Sequence, residues 1–146
     1  GTTTGMMIRF LKNREATYVT NALLHAKELA DGGMKVFILG GEYKSTTEVI
    51  VGEEAYESLS KYNFTKGFFG TNGIDVKKGL TTPEVRESTI KMQALNRCKE
   101  RYVLADASKF DQIATITFAH LDEAVVLTDN IPEGYRRFSN IREVAE

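Results

Sequence analysis

Residues 68–75 read Phe68-Phe69-Gly70-Thr71-Asn72-Gly73-Ile74-Asp75, and residues 79–84 read Gly79-Leu80-Thr81-Thr82-Pro83-Glu84. In the first segment an apolar run breaks into glycines and short polar side chains, and the second is a similar turn that opens the longest helical pattern. The glycines allow the backbone to take positive φ and to come close to a ligand. The threonine, asparagine and aspartate side chains are small hydrogen-bonding groups at strand and helix ends, where α/β sheets bind ligands. We interpret these turns as half of a ligand pocket.

Apolar runs alternate with helical patterns along the whole chain. Strands are predicted at residues 17–20, 34–39, 48–51, 66–69, 101–105, 113–118, 125–127 and 141–144, with residues 42–47 as a polar loop. The run at 34–39 is typical of a strand covered on both faces. Helices are predicted at residues 22–30 and 53–61, and from Thr82 as N-cap, with Pro83 at the first helical position, to about Lys99. This alternation predicts one α/β domain with a mostly parallel sheet and flanking helices.

Polar or glycine-rich loops follow most of the predicted strands. They are Thr20-Asn21, Gly40-Gly41 and residues 70–73, 106–109 and 128–129. Because the carboxyl ends of parallel strands gather at one edge of the sheet, these loops are expected to line a single crevice.

The composition excludes several classes of protein. The chain has 146 residues, a net charge of −1 and one cysteine, Cys98. We therefore expect neither a nucleic-acid footprint nor a membrane partner, and no disulfide, which favours a cytoplasmic location. Cys98 falls on the helical pattern and is expected to be a small core residue. Two histidines are too few and too scattered for a metal site, and no dinucleotide, P-loop or nucleophile-elbow motif is present, so no metal or cofactor is expected.

Two groups are candidates for binding a phosphate. Lys109 follows a buried strand on a turn made by Asp106 and Ser108, and its alternative role is that of a solvated surface lysine. Gly1, Thr2, Thr3 and Thr4 run directly into a helical pattern, where free N–H groups and the helix dipole favour an anion. The alternative for these residues is a simple threonine N-cap.

Three further side chains are candidates for binding sugar hydroxyls. Asn72 and Asp75 have suitable groups, although Asn-Gly is a common turn pair and aspartate often caps its own backbone. Glu87 lies one turn into the long helix and could face the crevice. Its alternative is an exposed charge paired with Lys91 four residues later.

The ordered set of motifs resembles the C-terminal effector domain of the DeoR family of bacterial transcriptional regulators. The matching pieces are GTTT at residues 1–4, YVTN at 18–21, LGG at 39–41, FGTNGID at 69–75, GLTT at 79–82, LADASKF at 104–110 and LTD at 127–129. Each piece is short, but together they keep the order and approximate spacing of the family across nearly the whole chain.

This resemblance implies a Rossmann-like domain related to ribose-5-phosphate isomerase and sugar-phosphate deaminases. It implies a phosphorylated sugar as effector, a homo-oligomer, and an N-terminal winged helix-turn-helix that binds DNA and lies upstream of this chain. Carried over by position, Gly1, Thr2, Thr3 and Thr4 form the phosphate loop and Lys109 is its cation. The sugar side is lined by Thr20, Asn21, Asn72, Gly73, Asp75 and Thr81.

The resemblance favours a sensor over an enzyme. The related isomerases carry an acidic residue where Asn72 stands here, and an amide cannot act as the base that moves a proton between sugar carbons. Asp75 and Glu87 keep open the alternative of an active isomerase or deaminase. A third possibility is an oligomerisation module whose pocket is vestigial.

Overall fold

The computed structural model describes Thr4, Met7, Ile8 and residues 11–144. The chain divides into two compact units, Gly1–Tyr62 and Asn63–Glu146. The predicted single effector domain stays a prediction. None of the helices in the described part is both long and apolar enough to cross a membrane.

The first unit contains a β-α-β arrangement and a hairpin. Strands β1 (Thr17–Thr20) and β2 (Lys35–Ile38) are parallel, and helix α1 (Leu23–Asp31) connects them. Strands β3 (Glu42–Lys44) and β4 (Val49–Val51) are antiparallel, and helix α2 (Glu53–Leu59) follows. Ile8, Leu29 and Met34 form a small core, against which Leu11, Tyr18 and Val36 pack.

Two predictions for this unit were wrong. Residues 42–47 are not all loop, because Glu42–Lys44 pairs with Val49–Val51 despite its polar composition. Strand β2 is not covered on both faces: Val36 packs on the core, whereas Phe37 on the opposite face is 46% exposed. Successive side chains of a strand point to opposite faces, and Val36 packs on the cluster to which α1 contributes Leu29.

The second unit is built on a four-stranded parallel sheet. Its strands are β5 (Phe64–Gly70), β8 (Cys98–Leu104), β10 (Val125–Thr128) and β11 (Ile141–Glu143), in the order β11-β10-β8-β5. A separate antiparallel sheet has the order β6-β7-β9, with β6 (Gly73–Asp75), β7 (Gly79–Thr82) and β9 (Ile116–Ala119). Helix α3 (Val85–Asn96) packs against β5, β7, β8 and β9. Parallel strands connected through helices confirm the predicted α/β class.

The core of the second unit joins these layers. Its fully buried members include Ile74, Leu80, Val103 and Val126, with Tyr135 only 2% exposed. Three single-turn 3-10 helices, Ala107–Lys109, Leu121–Glu123 and Glu133–Tyr135, lie in the loops around it.

The predicted start of the long helix was wrong. Thr82 is the last residue of β7, where it pairs with Ile116 and is almost fully buried. The N-cap is Glu84, whose carboxylate accepts a hydrogen bond from the Glu87 N–H at 2.8 Å. Thr82 and Pro83 satisfy local helix-start preferences, but the ladder with β9 keeps Thr82 extended. The helix also ends earlier than predicted, so the buried Cys98 begins β8 rather than ending α3.

Candidate functional site

Three of the predicted loops meet at one edge of the second unit. Strands β5, β8 and β10 are adjacent and parallel, so the residues that follow Gly70, Leu104 and Thr128 leave the sheet on the same side. Direct contacts join two of the loops: the Ala105 N–H donates to the Leu127 carbonyl at 3.0 Å, and the Ala107 N–H donates to Oδ1 of Asp129 at 3.2 Å. The predicted convergence is therefore confirmed for these three loops.

Lys109 lies in the middle one of these loops. It closes the turn Ala107–Lys109 and is half-buried, and among the described residues its ammonium has neither a hydrogen bond nor an ion pair. The nearby Asp106 carboxylate accepts hydrogen bonds from the Ser108 hydroxyl and from the Ser108 N–H. The Ser108 hydroxyl, and to a smaller extent its N–H and the Lys109 charge, hold the pKa of Asp106 below its usual value. Oδ1 of Asp106 is thus occupied locally, whereas the Lys109 ammonium is not engaged by any described residue.

The turn that carries Lys109 is anchored in the core directly after it. Phe110 is buried, and the Asp111 N–H donates to the Ile74 carbonyl at 2.7 Å. The Tyr135 hydroxyl lies 2.8 Å from Oδ1 of Asp111 and 3.2 Å from the Ile74 carbonyl oxygen. Burial, followed by the hydrogen bond to Asp111, raises the pKa of Tyr135 to about 12. The tyrosine therefore holds this loop as a neutral donor.

The glycine-rich turn after β5 is held by its own hydroxyls and amides. The Thr71 hydroxyl lies 2.9 Å from the Gly73 carbonyl and 3.1 Å from the Thr81 carbonyl. Thr81 is fully buried, and its Oγ1 accepts a hydrogen bond from the Ala114 N–H at 2.9 Å. A Cβ at Gly73 would lie 2.2 Å from the Gln112 carbonyl oxygen, so glycine is required here by the neighbouring loop.

Asn72 and Asp75 differ in how many hydrogen bonds their side chains already accept within the chain. Asn72 is exposed, and its Oδ1 accepts one hydrogen bond, from the Thr82 hydroxyl at 3.3 Å. Asp75 Oδ2 accepts from the N–H groups of Lys77 and Lys78, at 3.0 and 2.8 Å. Asp75 thus performs the turn-capping role that the sequence left open as its alternative.

Thr20 and Asn21 lie at the end of β1 in the first unit. Thr20 Oγ1 accepts a hydrogen bond from the Ala22 N–H at 3.1 Å, just before α1. The Asn21 side-chain amide donates to the Ile50 carbonyl at 3.0 Å, and the Ile50 N–H donates to the Asn21 carbonyl at 2.7 Å. These bonds tie the end of β1 to β4.

Glu87 acts on Lys91, which the sequence did not single out as a site residue. The negative charge of Glu87 raises the pKa of Lys91. Burial has the larger effect and lowers that pKa to about 8. The Lys91 ammonium donates to the Gly70 carbonyl at 2.9 Å and lies 4.9 Å from the centroid of the Phe118 ring. The spacing of Glu87 and Lys91 was the one signal in the sequence that pointed to this contact.

The predicted phosphate loop is described at one position. Gly1, Thr2 and Thr3 lie outside the described residues. The Thr4 Oγ1 is buried and has no hydrogen-bond partner within the described part of the chain. Among the same described residues, no cluster of three or more histidine, cysteine, aspartate or glutamate side chains could hold a metal ion.

Comparison with known proteins identifies the family. Residues 1–130 match the family model described as the DeoR C terminal sensor domain, and the chain therefore belongs to that family. The resemblance inferred from the sequence is confirmed. The chain is a sensor domain of the DeoR type of transcriptional regulator.

The relatives are transcriptional regulators rather than enzymes. The chain is 37% identical to the "Uncharacterized HTH-type transcriptional regulator FruR" of Bacillus subtilis, over 98% of the chain and 57% of that protein. It is 31% identical to the "HTH-type transcriptional regulator IolR" of the same organism, over 99% of the chain and 59% of the relative. It is 36% identical to a "Lactose phosphotransferase system repressor" of Staphylococcus epidermidis, over 89% of the chain and 53% of that repressor. The chain thus spans slightly more than half the length of these relatives.

Proposed function

We propose that the chain binds a phosphorylated sugar as the effector of a transcriptional repressor of sugar-metabolism genes. DNA would be bound by a helix-turn-helix part outside this chain, since the relatives are named as regulators of that type and extend well beyond the matched region. A regulator of this kind acts on chromosomal DNA, so we also propose a cytoplasmic location.

The observation that carries the proposal is the state of Lys109. A half-buried ammonium without a partner among the described residues lies at the strand ends where α/β folds bind ligands. A hydrogen bond to a charged group contributes about 1.5–3 kcal/mol, so Lys109 would supply much of the affinity for a phosphate. The neighbouring carboxylates of Asp106 and Asp129 suit hydroxyl donors better than an anion. This combination favours a ligand that carries both a phosphate and hydroxyl groups.

The remaining predicted contacts fall into two groups under this proposal. Gly1, Thr2, Thr3 and Thr4 are proposed phosphate ligands. The buried Thr4 hydroxyl, which has no hydrogen-bond partner among the described residues, supports this proposal. Thr20, Asn21, Asn72, Gly73, Asp75, Thr81 and Glu87 are proposed for the sugar side. Asn72 is the strongest of these candidates because it is exposed and its side-chain amide takes part in one hydrogen bond among the described residues, with the Thr82 hydroxyl. The others already hydrogen-bond within the chain and would act mainly by fixing their loops.

Ligand binding would regulate the repressor through its assembly. We propose a homo-oligomer in which the effector changes how the protomers are arranged, with a coupling of about 1–3 kcal/mol per site. Analytical ultracentrifugation with and without effector would measure the assembly. A monomer under both conditions would contradict this part of the proposal.

A thermal-shift panel tests the ligand class. Fructose 1-phosphate, glucose 6-phosphate and ribose 5-phosphate are compared with inorganic phosphate and with the unphosphorylated sugars. Ligand at about 100 times its Kd stabilises the folded state by about 2.7 kcal/mol. At least one sugar phosphate should raise the Tm by several degrees while its free sugar does not. Equal melting temperatures across the panel would overturn the proposal and leave an oligomerisation module.

A further inference from the structure

Lys91 occupies an unusual position for a lysine. It lies in the middle of α3, and its ammonium is directed to the Gly70 carbonyl, 2.9 Å away, beneath the ring of Phe118. Removing an ammonium from water carries a cost that a well-packed apolar side chain of similar length would avoid. Within the described part of the chain, this cost is offset by one backbone carbonyl, one aromatic face and the charge of Glu87.

The carbonyl that accepts the hydrogen bond from Lys91 lies where β5 ends and the glycine-rich turn begins. Gly70 is the last residue of β5, and Thr71 and Asn72 follow it immediately. Gly70 is paired with Leu104 of β8, and the hydrogen bond from Lys91 adds a second restraint, from the helix, on the peptide that leads into Thr71. Lys91 thus joins helix α3 to the last residue of β5, directly before the loop that carries Asn72.

We propose that Lys91 is a positioning residue of the effector site, whose ammonium fixes the Gly70 carbonyl and with it the turn that presents Asn72 to the sugar. This inference rests on the proposed function, because it assigns the turn a ligand. It adds a residue that was absent from the set predicted from sequence.

The surroundings of Lys91 make its charge sensitive to pH. Strands β7 and β9 carry no titratable side chain, and β5 carries Lys66 near its opposite end. The titratable residues of β8 (Cys98, Lys99, Glu100, Arg101 and Tyr102) pair with residues 64–68, away from Gly70. Among the described residues, Glu87 is the charged group that shifts the pKa of Lys91, and burial, the larger effect, lowers that pKa to about 8. Loss of the proton would turn a charge-assisted hydrogen bond into a weaker neutral one.

The first test needs no effector. NMR shifts of the Gly70 carbonyl carbon and the Thr71 amide nitrogen are followed from about pH 6.5 to about pH 11.5 in wild type, Lys91→Met and Lys91→Arg, with the ordinary lysine pKa near 10.4 as reference. Wild type should show a transition centred near pH 8. Lys91→Met should lack the transition and start from shifted resonances, and Lys91→Arg should stay charged throughout. Unchanged resonances in Lys91→Met, or a wild-type midpoint near 10.4, would overturn the proposal.

The second test measures binding of the sugar phosphate that gives the largest thermal shift. At neutral pH Lys91→Met should bind about tenfold more weakly than wild type, as expected when a charge-assisted bond is lost. Between pH 7.5 and 9 wild type should weaken while Lys91→Arg does not, and the phosphate stays fully ionised because its second pKa is about 6. Equal affinity of Lys91→Met and wild type would refute the positioning role and leave the proposed function intact. Absence of binding by wild type to every sugar phosphate would overturn both.

Discussion

The hydroxyl of Tyr135 and the carboxylate of Asp111 lie 2.8 Å apart, and this contact fixes the far end of the turn that carries Lys109. Asp111 has a positive φ of 63°, a conformation that is uncommon for non-glycine residues but that aspartate adopts more readily than most, and local contacts restrain it there. The buried tyrosine and the Ile74 carbonyl, which accepts the Asp111 N–H, provide that restraint. The phosphate candidate therefore lies on a loop whose far end is anchored to the core.

Substituting Tyr135 by phenylalanine should loosen this anchor. The ring would still fill the core, but the exposed Asp111 carboxylate would exchange the tyrosine hydroxyl for water, so the free energy of unfolding should fall by about 0.5–1.5 kcal/mol, the net value of one hydrogen bond. Urea denaturation measures the change. The matched control is Tyr56→Phe, since Tyr56 is 40% exposed and should tolerate the loss of its hydroxyl. Equal stabilities of the two variants would contradict the anchoring role.

Gly73 should not tolerate even an alanine. The added Cβ would lie 2.2 Å from the Gln112 carbonyl oxygen and 2.6 Å from Oγ1 of Thr81, so the backbone of two loops would have to move. Overpacking of this kind typically costs about 1–3 kcal/mol, which thermal or urea unfolding would detect. Gly134→Ala is the control, because nothing lies within 4 Å of the Cβ that it would add. A Gly73→Ala variant as stable as Gly134→Ala would show that these loops are not in close contact.

Lys91 should make stability depend on pH in a defined direction. Its pKa is lowered from 10.5 to about 8 in the folded state, so between these values the unfolded chain binds more protons than the folded chain. The free energy of unfolding should therefore rise with pH across this window, by at most about 3 kcal/mol at about 1.4 kcal/mol per pKa unit. Below pH 8 both states are protonated and the contribution is flat.

This effect is isolated by subtracting the free energy of unfolding of Lys91→Met from that of wild type at each pH. Urea titrations at several pH values give the two stabilities, and the groups shared by both proteins cancel in the difference. The difference should shift in favour of wild type as the pH rises from about 8 to 10.5. A difference independent of pH would show that the lysine titrates normally in the folded state.

The sequence was sufficient for features that depend on local pattern. The apolar runs before Gly70, Leu104 and Thr128 predicted parallel strands, and parallel strands necessarily bring their polar ends together. Lys109 was identified by its position after such a run. The turn role of Asp75 was also foreseeable, as an alternative, from the habit of aspartate to cap its own backbone.

What the sequence missed depends on partners distant along the chain. Thr82 carries a helix-cap signal, but its pairing with Ile116 overrides it. Strands β3 (EYK) and β6 (GID) carry charged residues or glycine and have no apolar run, and their pairing with β4 and β7 makes them strands. Lys91 looks like an ordinary surface lysine until Gly70 and Phe118 are placed around it. Tyr135 gives no local sign that it binds Asp111.

The most direct test of the account is the affinity of a Lys109→Ala variant for the sugar phosphate selected by thermal shift, measured by calorimetry against wild type. Loss of a charge-assisted contact should weaken binding by about tenfold or more, while the free energy of unfolding changes little because no described residue pairs with the ammonium. Lys99→Ala, which removes an exposed lysine near the start of β8, should bind as wild type does. Equal affinities of Lys109→Ala and wild type would contradict the central claim that Lys109 binds the phosphate.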